Sequence, residues 1–313
     1  MSTADAQSVP ASKSREGVLS VGNFDGVHLG HQQMIQELVR LARKLGTRSL
    51  AVTFDPPPLA LLAPSRMPPQ LTTLSQKVEL LQALGVDEVF VCPTTRELLN
   101  LTAEQFFEEV LIQQLGCRGM VEGPNFCFGR GRVGDETLLR KLCGERQLPI
   151  SIVEAHDFGG TMVSSSEVRT AIRAGDVAKA RRLLGRPYSI TGTVVRGEER
   201  GRLLGFPTAN LDGIETLPPP LGVYAGRATV NGVRYPVALH IGPNPTFGED
   251  QLKVEAHLIG YTGDLYGQAV TIDLLDHLRS VVKFPDIPAL RAQLQMDIAQ
   301  AIRCGLPLAL TDD

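Results

Sequence analysis

A chain of 313 residues, 43% hydrophobic and 21% charged, has the composition of a folded globular protein with room for two cores. Its net charge of −3, from 31 basic and 34 acidic residues, gives no basic surplus for gripping a phosphate backbone, so no nucleic-acid partner is expected. Residues 1–15 are small and polar, read as disordered, and lack the apolar core of a signal peptide. No later run approaches about 18 apolar residues, so no membrane partner is expected either.

In chain order, the apolar run 18–21 reads as a strand. It leads into Gly22-Asn23-Phe24-Asp25-Gly26-Val27-His28-Leu29-Gly30-His31, then into a helical pattern with Ile35, Leu38, Ala42 and Leu45 on one face. A glycine-rich turn between strand and helix leaves unpaired N–H groups pointing where an anion would sit, and glycines let a phosphate come close. His28 and His31 flank Gly30 within reach of that spot. Zinc on the two histidines would need a third ligand, and none stands at a recognisable spacing.

A second strand, 49–54, runs into Asp55-Pro56-Pro57-Pro58. Proline cannot continue a ladder, so 56–69 is expected as a loop that could lie over the site. A helix over 75–84 is closed by Gly85, and a strand follows over 88–92. Thr102-Ala103-Glu104-Gln105 has the spacing of a capping box, opening an amphipathic helix with Phe106, Val110 and Leu111 that ends before Gly116. A strand over 118–122, a helix over 135–147 and a strand over 149–154 complete the alternation. That pattern predicts a parallel, right-handed α/β sheet with ligand at the carboxyl ends of its strands.

Ser164-Ser165-Ser166-Glu167-Val168-Arg169 contains an ordinary N-cap spacing, serine with glutamate three residues on, although a cap does not require the arginine. Short helices over 168–174 and 176–184, split by Gly175, lead to Gly185-Arg186-Pro187, where the domain boundary is expected. The first domain is thus 16–185 and the second 186–313.

From Tyr188 the hydrophobic period changes from 3.6 to 2. Strands are expected over 188–195, 222–230, 233–241, 253–261 and 269–275, with Asn231-Gly232 as a type I′ hairpin turn. A small antiparallel barrel is the economical architecture. A helix over 287–303 carries a narrow stripe of Leu290, Leu294, Ile298 and Ile302. Gly197, Gly201 and Gly205 punctuate a loop bearing Arg196, Arg200 and Arg202, which ends in Phe206-Pro207-Thr208-Ala209-Asn210. No Gly-Lys-Ser/Thr follows, so it is not a Walker motif. In Lys253-Val254-Glu255-Ala256-His257-Leu258, alternation puts Glu255 on the polar face; from pattern alone that face is simply solvated.

The decapeptide 22–31 resembles the His-x-Gly-His signature of nucleotidylyltransferases in the form typical of bacterial FAD synthetases, the bifunctional riboflavin kinase/FMN adenylyltransferases. Ser164–Arg169 resembles that family's Ser-Ser-Thr-x-Ile-Arg signature, with Ser166 at the threonine position. Pro-Thr-Ala-Asn at 207–210 is similar to the riboflavin kinase signature, and Val-Glu-x-His at 254–257 ahead of Asp264-Leu265-Tyr266-Gly267 to its catalytic segment. The resemblance spans roughly 16–303. It implies a Rossmann-like parallel-sheet nucleotidylyltransferase domain followed by a small β-barrel kinase domain with a C-terminal helix. It further implies riboflavin phosphorylation to FMN in the second domain and FMN adenylylation to FAD, with release of pyrophosphate, in the first.

By resemblance, His28 and His31 are catalytic in adenylyl transfer. Gly22, Phe24, Asp25, Gly26, Ser164, Ser165, Ser166 and Arg169 bind its ATP. Gly201, Gly205, Thr208 and Asn210 bind ATP in the kinase, Thr208 and Asn210 also serving Mg²⁺, and Glu255 is the general base. Glu122–Gly129, with Asn125 and Phe128, resembles a segment lying against nucleotide and flavin. Gly242-Pro243-Asn244-Pro245-Thr246-Phe247 and Arg279 with Phe284 resemble the family's remaining landmarks, the last two on the flavin side. Pro57, Cys127, His240 and Val281 depart from the family's usual His, Arg, Asn and Glu.

The implied substrates are riboflavin, FMN and ATP, and the oligomeric state stays open. The five cysteines, Cys92, Cys117, Cys127, Cys143 and Cys304, are odd in number and form no CxxC pair, which points to free thiols in a reducing cytoplasm. Two rivals remain: an adenylyltransferase for another phosphorylated metabolite, and a flavin-binding sensor with degenerate sites.

Overall fold

The computed structural model describes residues 16–154, 157–158, 161–198, 201, 205–243, 246 and 252–305. The expected disordered stretch 1–15, Arg200, Arg202, Asn244, Pro245 and Phe247 lie outside the described residues. By its internal contacts the chain divides into two units, one running to Pro68 with Leu74–Asp157, the other comprising Pro69–Thr73 and Phe158 onward.

The first unit is built on five parallel strands: β1 (Gly17–Val21), β2 (Arg48–Asp55), β3 (Glu88–Pro93), β4 (Cys117–Glu122) and β5 (Ile150–Ile152), in the order β3-β2-β1-β4-β5. The chain builds outward from β1 to β3 and then returns to place β4 on the other side of β1. This reversal makes the carboxyl ends of β1 and β4 the topological switch point, where ligands sit in open α/β sheets. Every residue of β1 is buried, as expected of a strand covered on both faces. Leu19 and Val21 face one core with Leu50, Phe107, Leu111 and Met120; Val18 faces the other with Ile35, Leu38 and Leu81.

Helices α1 (Leu29–Lys44), α2 (Pro58–Leu62) and α3 (Leu74–Ala83) belong to this unit. The stretch 56–69 is therefore not all loop: Pro58 at the first helical position starts α2, and a 3₁₀ turn follows over Pro64–Arg66. Helix α4 (Arg96–Asn100) is an element the sequence pattern does not announce. It is one short turn, capped by Thr95 Oγ1 accepting from Leu98 N at 3.2 Å. The capping box forms as expected at the start of α5 (Ala103–Gln105), which runs on in π winding over Phe106–Gln114. Its turn is wide enough for Leu115 N–H to reach the Val110 carbonyl. Helix α6 (Glu136–Glu145), capped by Asp135, precedes β5.

A two-stranded ribbon, β6 (Asp157–Phe158) and β7 (Thr161–Met162), lies along the chain at the change of unit. The second unit continues with α7 (Ser165–Arg173) and α8 (Val177–Leu184), each held by its serine or aspartate cap, and α8 ends on left-handed Gly185.

Six strands then close a barrel: β8 (Tyr188–Val195), β9 (Ala209–Asp212), β10 (Gly222–Val230), β11 (Val233–Gly242), β12 (Lys253–Leu258) and β13 (Ala269–Arg279). Asn231 and Gly232 take φ of 50° and 78°, the type I′ signature, and α8 packs on β8 and β13. Three strands differ from the sequence pattern. Gly260, at φ 82°, lies just past the early end of β12, β13 runs beyond its expected end at 275 to Arg279, and β9 is too short to show a period. The last helix, α9 (Ile287–Gly305), packs on β10, β11 and β13. Its two buried residues, Ala301 at 0% and Asp297 at 1% exposed, both lie outside the leucine–isoleucine stripe.

Candidate functional sites

In the first unit the site grows from the end of β1. Gly22 N–H bonds to the Val52 carbonyl at 2.9 Å, and the chain then turns sharply. Phe24, Gly26 and Val27 all take positive φ, of 46°, 80° and 40°. For valine, branched at Cβ, that is a strained conformation, of the kind retained where a turn has a task beyond connection.

The turn buries Asp25 and delivers His28 as the cap of α1, its Nδ1 accepting from His31 N–H at 3.3 Å. One helical turn apart, the two imidazoles stack with centroids 3.7 Å apart and planes 18° from parallel, and Phe24 meets His31 edge-on at 5.4 Å. Burial first, then the nearby His28 and Lys77, hold His31 well below the usual imidazole range, so it is neutral near pH 7. Its Nδ1 is buried without a hydrogen-bond partner among the described residues.

Lys77, which the sequence reading missed, and Glu122, named there only as the start of the segment after β4, complete this wall. Lys77 of α3 is 3% exposed, and its Nζ lies 3.5 Å from Thr53 Oγ1 at the end of β2. Burial lowers its pKa, while the carboxylates of Asp25 and Asp55 act to raise it. Glu122 ends β4, where its carboxylate accepts the Val21 N–H at 2.7 Å; full burial pushes its pKa well above the carboxylate range. One signal was legible for the lysine: it occupies the core-facing side of α3 one turn before Leu81. Asn125 is exposed on the turn after β4. Phe128 is buried in the core, stacked on half-buried Phe126 at 5.3 Å.

The serine–arginine segment belongs by its contacts to the second unit. Ser164 caps α7 by accepting Glu167 N–H at 3.2 Å, Ser165 opens the helix, and Ser166 offers its carbonyl to the Thr170 hydroxyl at 3.0 Å. Arg169 is buried, its Nε donating to the Pro69 carbonyl at 2.8 Å.

At the barrel, the second site is assembled by strand register. Glu255 on β12 is flanked by Asn210 on β9 and by His240 on β11, one directly opposite it on each side. Side chains directly opposite across a ladder share a face, so the carboxylate, the amide and the imidazole form one row. Val254, Ala256 and Leu258 point the other way, as the alternation predicts.

Two described glycines of the loop approach this site, Gly197 beside Asn210 and Gly201 beside Thr208. A Cβ on Gly197 would collide with the Asn210 amide, and one on Gly201 would meet the Phe206 carbonyl and come within 3.2 Å of Thr208 Oγ1. Gly205 sits at φ 88°. His257 ties the Pro207 carbonyl down at 2.7 Å through Nδ1. Burial holds His240 below the usual imidazole value against the opposing pull of Glu255, and its Nε2 lies 3.2 Å from the Pro243 carbonyl. Arg279 donates to both carboxylate oxygens of Asp297, from Nε at 3.0 Å and from Nη2 at 2.7 Å, and lies over the Phe284 ring at 5.5 Å.

The oxygen donors Thr208 and Asn210 suit a hard cation that keeps waters and phosphate oxygens as its other ligands. Among the described residues no group of three His, Cys, Asp or Glu could hold a metal unaided.

A family model described as FAD synthetase matches residues 11–167, and one described as riboflavin kinase matches residues 184–304. The chain is 37% identical over 281 residues to a bifunctional riboflavin kinase/FMN adenylyltransferase of Escherichia coli (strain K12), with 90% of each covered. It is 36% identical over 295 residues to the protein of the same description from Bacillus subtilis (strain 168), with 92% of each covered. A crystal structure described as a macrolide-efflux protein from Streptococcus pneumoniae aligns with TM-score 0.81 and 28% identity, over 92% of this chain and 94% of that one. Among the described residues here, no helix is long and apolar enough to cross a membrane.

Proposed function

This chain belongs to the bifunctional riboflavin kinase/FMN adenylyltransferase family, and from that membership we propose how its two reactions are divided and which residues carry them. The reactions are ATP-dependent phosphorylation of riboflavin to FMN and adenylylation of FMN to FAD with release of pyrophosphate. The barrel of residues 186–313 performs the first and the domain of residues 16–185 the second.

The observation that carries this division is the difference between the two sites. Riboflavin offers an alcohol, which loses its proton as it attacks the γ-phosphorus of ATP, so a carboxylate within reach is useful. Glu255 is our general base, opposite Asn210, which Gly197 of the glycine loop approaches. The loop with Gly201 and Gly205 covers the phosphates, while Thr208 and Asn210 attend them and the Mg²⁺ that neutralises their charge. Arg279 and Phe284 border the flavin.

FMN offers a phosphate already largely ionised near neutral pH, its second pKa being about 6. Adenylyl transfer therefore needs no strong base. It needs donors that bring two anions together at the α-phosphorus and stabilise the departing pyrophosphate. The stacked His28 and His31 supply ring N–H donors, and the N–H groups around Gly22, Phe24, Asp25 and Gly26 line the approach. Ser164, Ser165, Ser166 and Arg169 hold ATP phosphates, and Asn125 with Phe128 borders the flavin. The five cysteines, none of them in a disulfide, support a reducing, cytoplasmic setting.

The test is to incubate the purified protein with riboflavin, Mg²⁺ and ATP and to separate the flavins by chromatography. FMN followed by FAD is expected, and absence of both would reject the reading. Supplying FMN, pantetheine phosphate and nicotinamide mononucleotide in parallel identifies the adenylyl acceptor.

A further inference from the structure

Lys77 has no part in the mechanism above, yet its position is costly. With Leu81 it is one of the two buried residues of α3. An ammonium withdrawn from water is costly unless it is matched, so packing alone would favour an apolar side chain there.

Three elements converge on it. Its Nζ donates to Thr53 Oγ1 on β2 at 3.5 Å, and the Thr53 hydroxyl donates in turn to the Asn23 carbonyl inside the glycine turn at 3.3 Å. Asp25 of that turn and Asp55 at the end of β2 both act on the ammonium, and the ammonium acts on His31. We infer that Lys77 is a positioning residue of the adenylyl-transfer site: through Thr53 and Asp25 it fixes the turn that carries the stacked imidazoles, and it places a buried positive charge behind them.

The chemistry gives that charge a purpose. A neutral imidazole such as that of His31 donates a hydrogen bond but brings no net charge, whereas the reaction gathers two anions and sheds a third. A cation in a dry wall acts at low dielectric, where its potential reaches farther than it would at the surface. The titratable groups acting on His31 are His28, at the same helix start, and Lys77 from α3; Asp25 and Asp55 face the lysine.

The inference rests on the first domain being the adenylyl-transfer site. The wild-type protein given FMN and ATP is therefore assayed first, and failure to form FAD there rejects the functional reading irrespective of Lys77. Lys77→Met is then expected to lose about 10²-fold in kcat for FAD formation, as misplacement of a reacting pair does, with KM for ATP little changed. Riboflavin phosphorylation by the same preparation should be unaltered. Lys77→Arg should restore part of the rate. The acid limb of the FMN-to-FAD profile should move to higher pH in Lys77→Met, because removal of a neighbouring positive charge makes His31 easier to protonate.

Wild-type kcat in Lys77→Met overturns the inference. So does a loss in which the acid limb stays in place and Lys77→Arg rescues nothing, since that describes a merely structural residue. If Lys77→Met fails to fold, Thr53→Val decides: it keeps the volume but cuts the link to Asn23, and undiminished FAD formation in it overturns the proposal.

Discussion

Glu255 and Asn210 stand directly opposite each other across the β9–β12 ladder, although 45 positions separate them in the chain. Neither residue carries the pairing in its own surroundings. Closure of the barrel creates it, bringing the end of the glycine loop beside the polar face of β12.

Replacing the carboxylate with its neutral isostere tests this pairing. Glu255→Gln should lower riboflavin phosphorylation by about 10²- to 10⁴-fold, the usual contribution of a general base. FMN-to-FAD conversion should remain near normal, and His31→Ala should give the reverse pattern. Each step is followed with its own flavin supplied, and equal loss of both steps in either variant would count against two separate sites.

The glycine loop offers a steric test. A methyl group on Gly197 would collide with the Asn210 amide, and one on Gly201 with the Phe206 carbonyl. Gly197→Ala and Gly201→Ala should therefore each depress FMN formation while FAD formation from supplied FMN stays close to wild type. Steady-state rates of the two half-reactions on one preparation check this.

Glu122 makes a prediction about stability. Burial raises its folded pKa well above 4.5, so the native state holds a proton that the unfolded chain releases once pH exceeds about 4.5. Between those two values the native state binds more protons, and stability must fall as pH rises, by up to about 1.4 kcal/mol per pH unit. Glu122→Gln keeps an oxygen for the Val21 N–H and carries no titrating proton. Its melting temperature should exceed that of wild type at pH 8 and converge with it near pH 4, as calorimetric scans across that range would show.

His31 gives the opposite slope. Its folded pKa lies below 6.5, so the unfolded chain binds the extra proton first, and stability is lost as pH falls from about 6.5 toward the folded value. His31→Gln should flatten that loss between pH 6.5 and 5, and urea titrations at three pH values in the window measure it.

The Arg279–Asp297 pair tests the closing helix. Asp297 is 1% exposed and its guanidinium partner is partly exposed, so removing the carboxylate strands a cation at the barrel surface. Asp297→Ala should destabilise the barrel by about 3 kcal/mol, and Arg279→Met combined with Asp297→Leu should recover much of the loss. Hydrogen exchange of β10 and β13 amides reports it.

Much of this protein was legible in one dimension because its signals are local. Period, caps and turn residues located most strands and helices: the capping box at Thr102, the left-handed Gly185 and the Asn231-Gly232 hairpin each form within a few residues of chain. Stretches too short for a period were not legible. Pro58–Leu62, Arg96–Asn100 and Ala209–Asp212 owe their form to a proline start, a single cap and a neighbouring strand.

The stacked histidines lie between these cases. Three-residue spacing brings them to one face of a helix start, but the 3.7 Å stack and the depressed basicity of His31 depend on burial by the rest of the domain. Sequence alone determined the order of elements, the two periods and the residues able to meet anions. Only the tertiary structure decided that Lys77 and Glu122 are buried, that Asp297 holds Arg279, and that Asn210 and His240 flank Glu255. Those outcomes follow from desolvation and strand register, which exist only once distant segments pack.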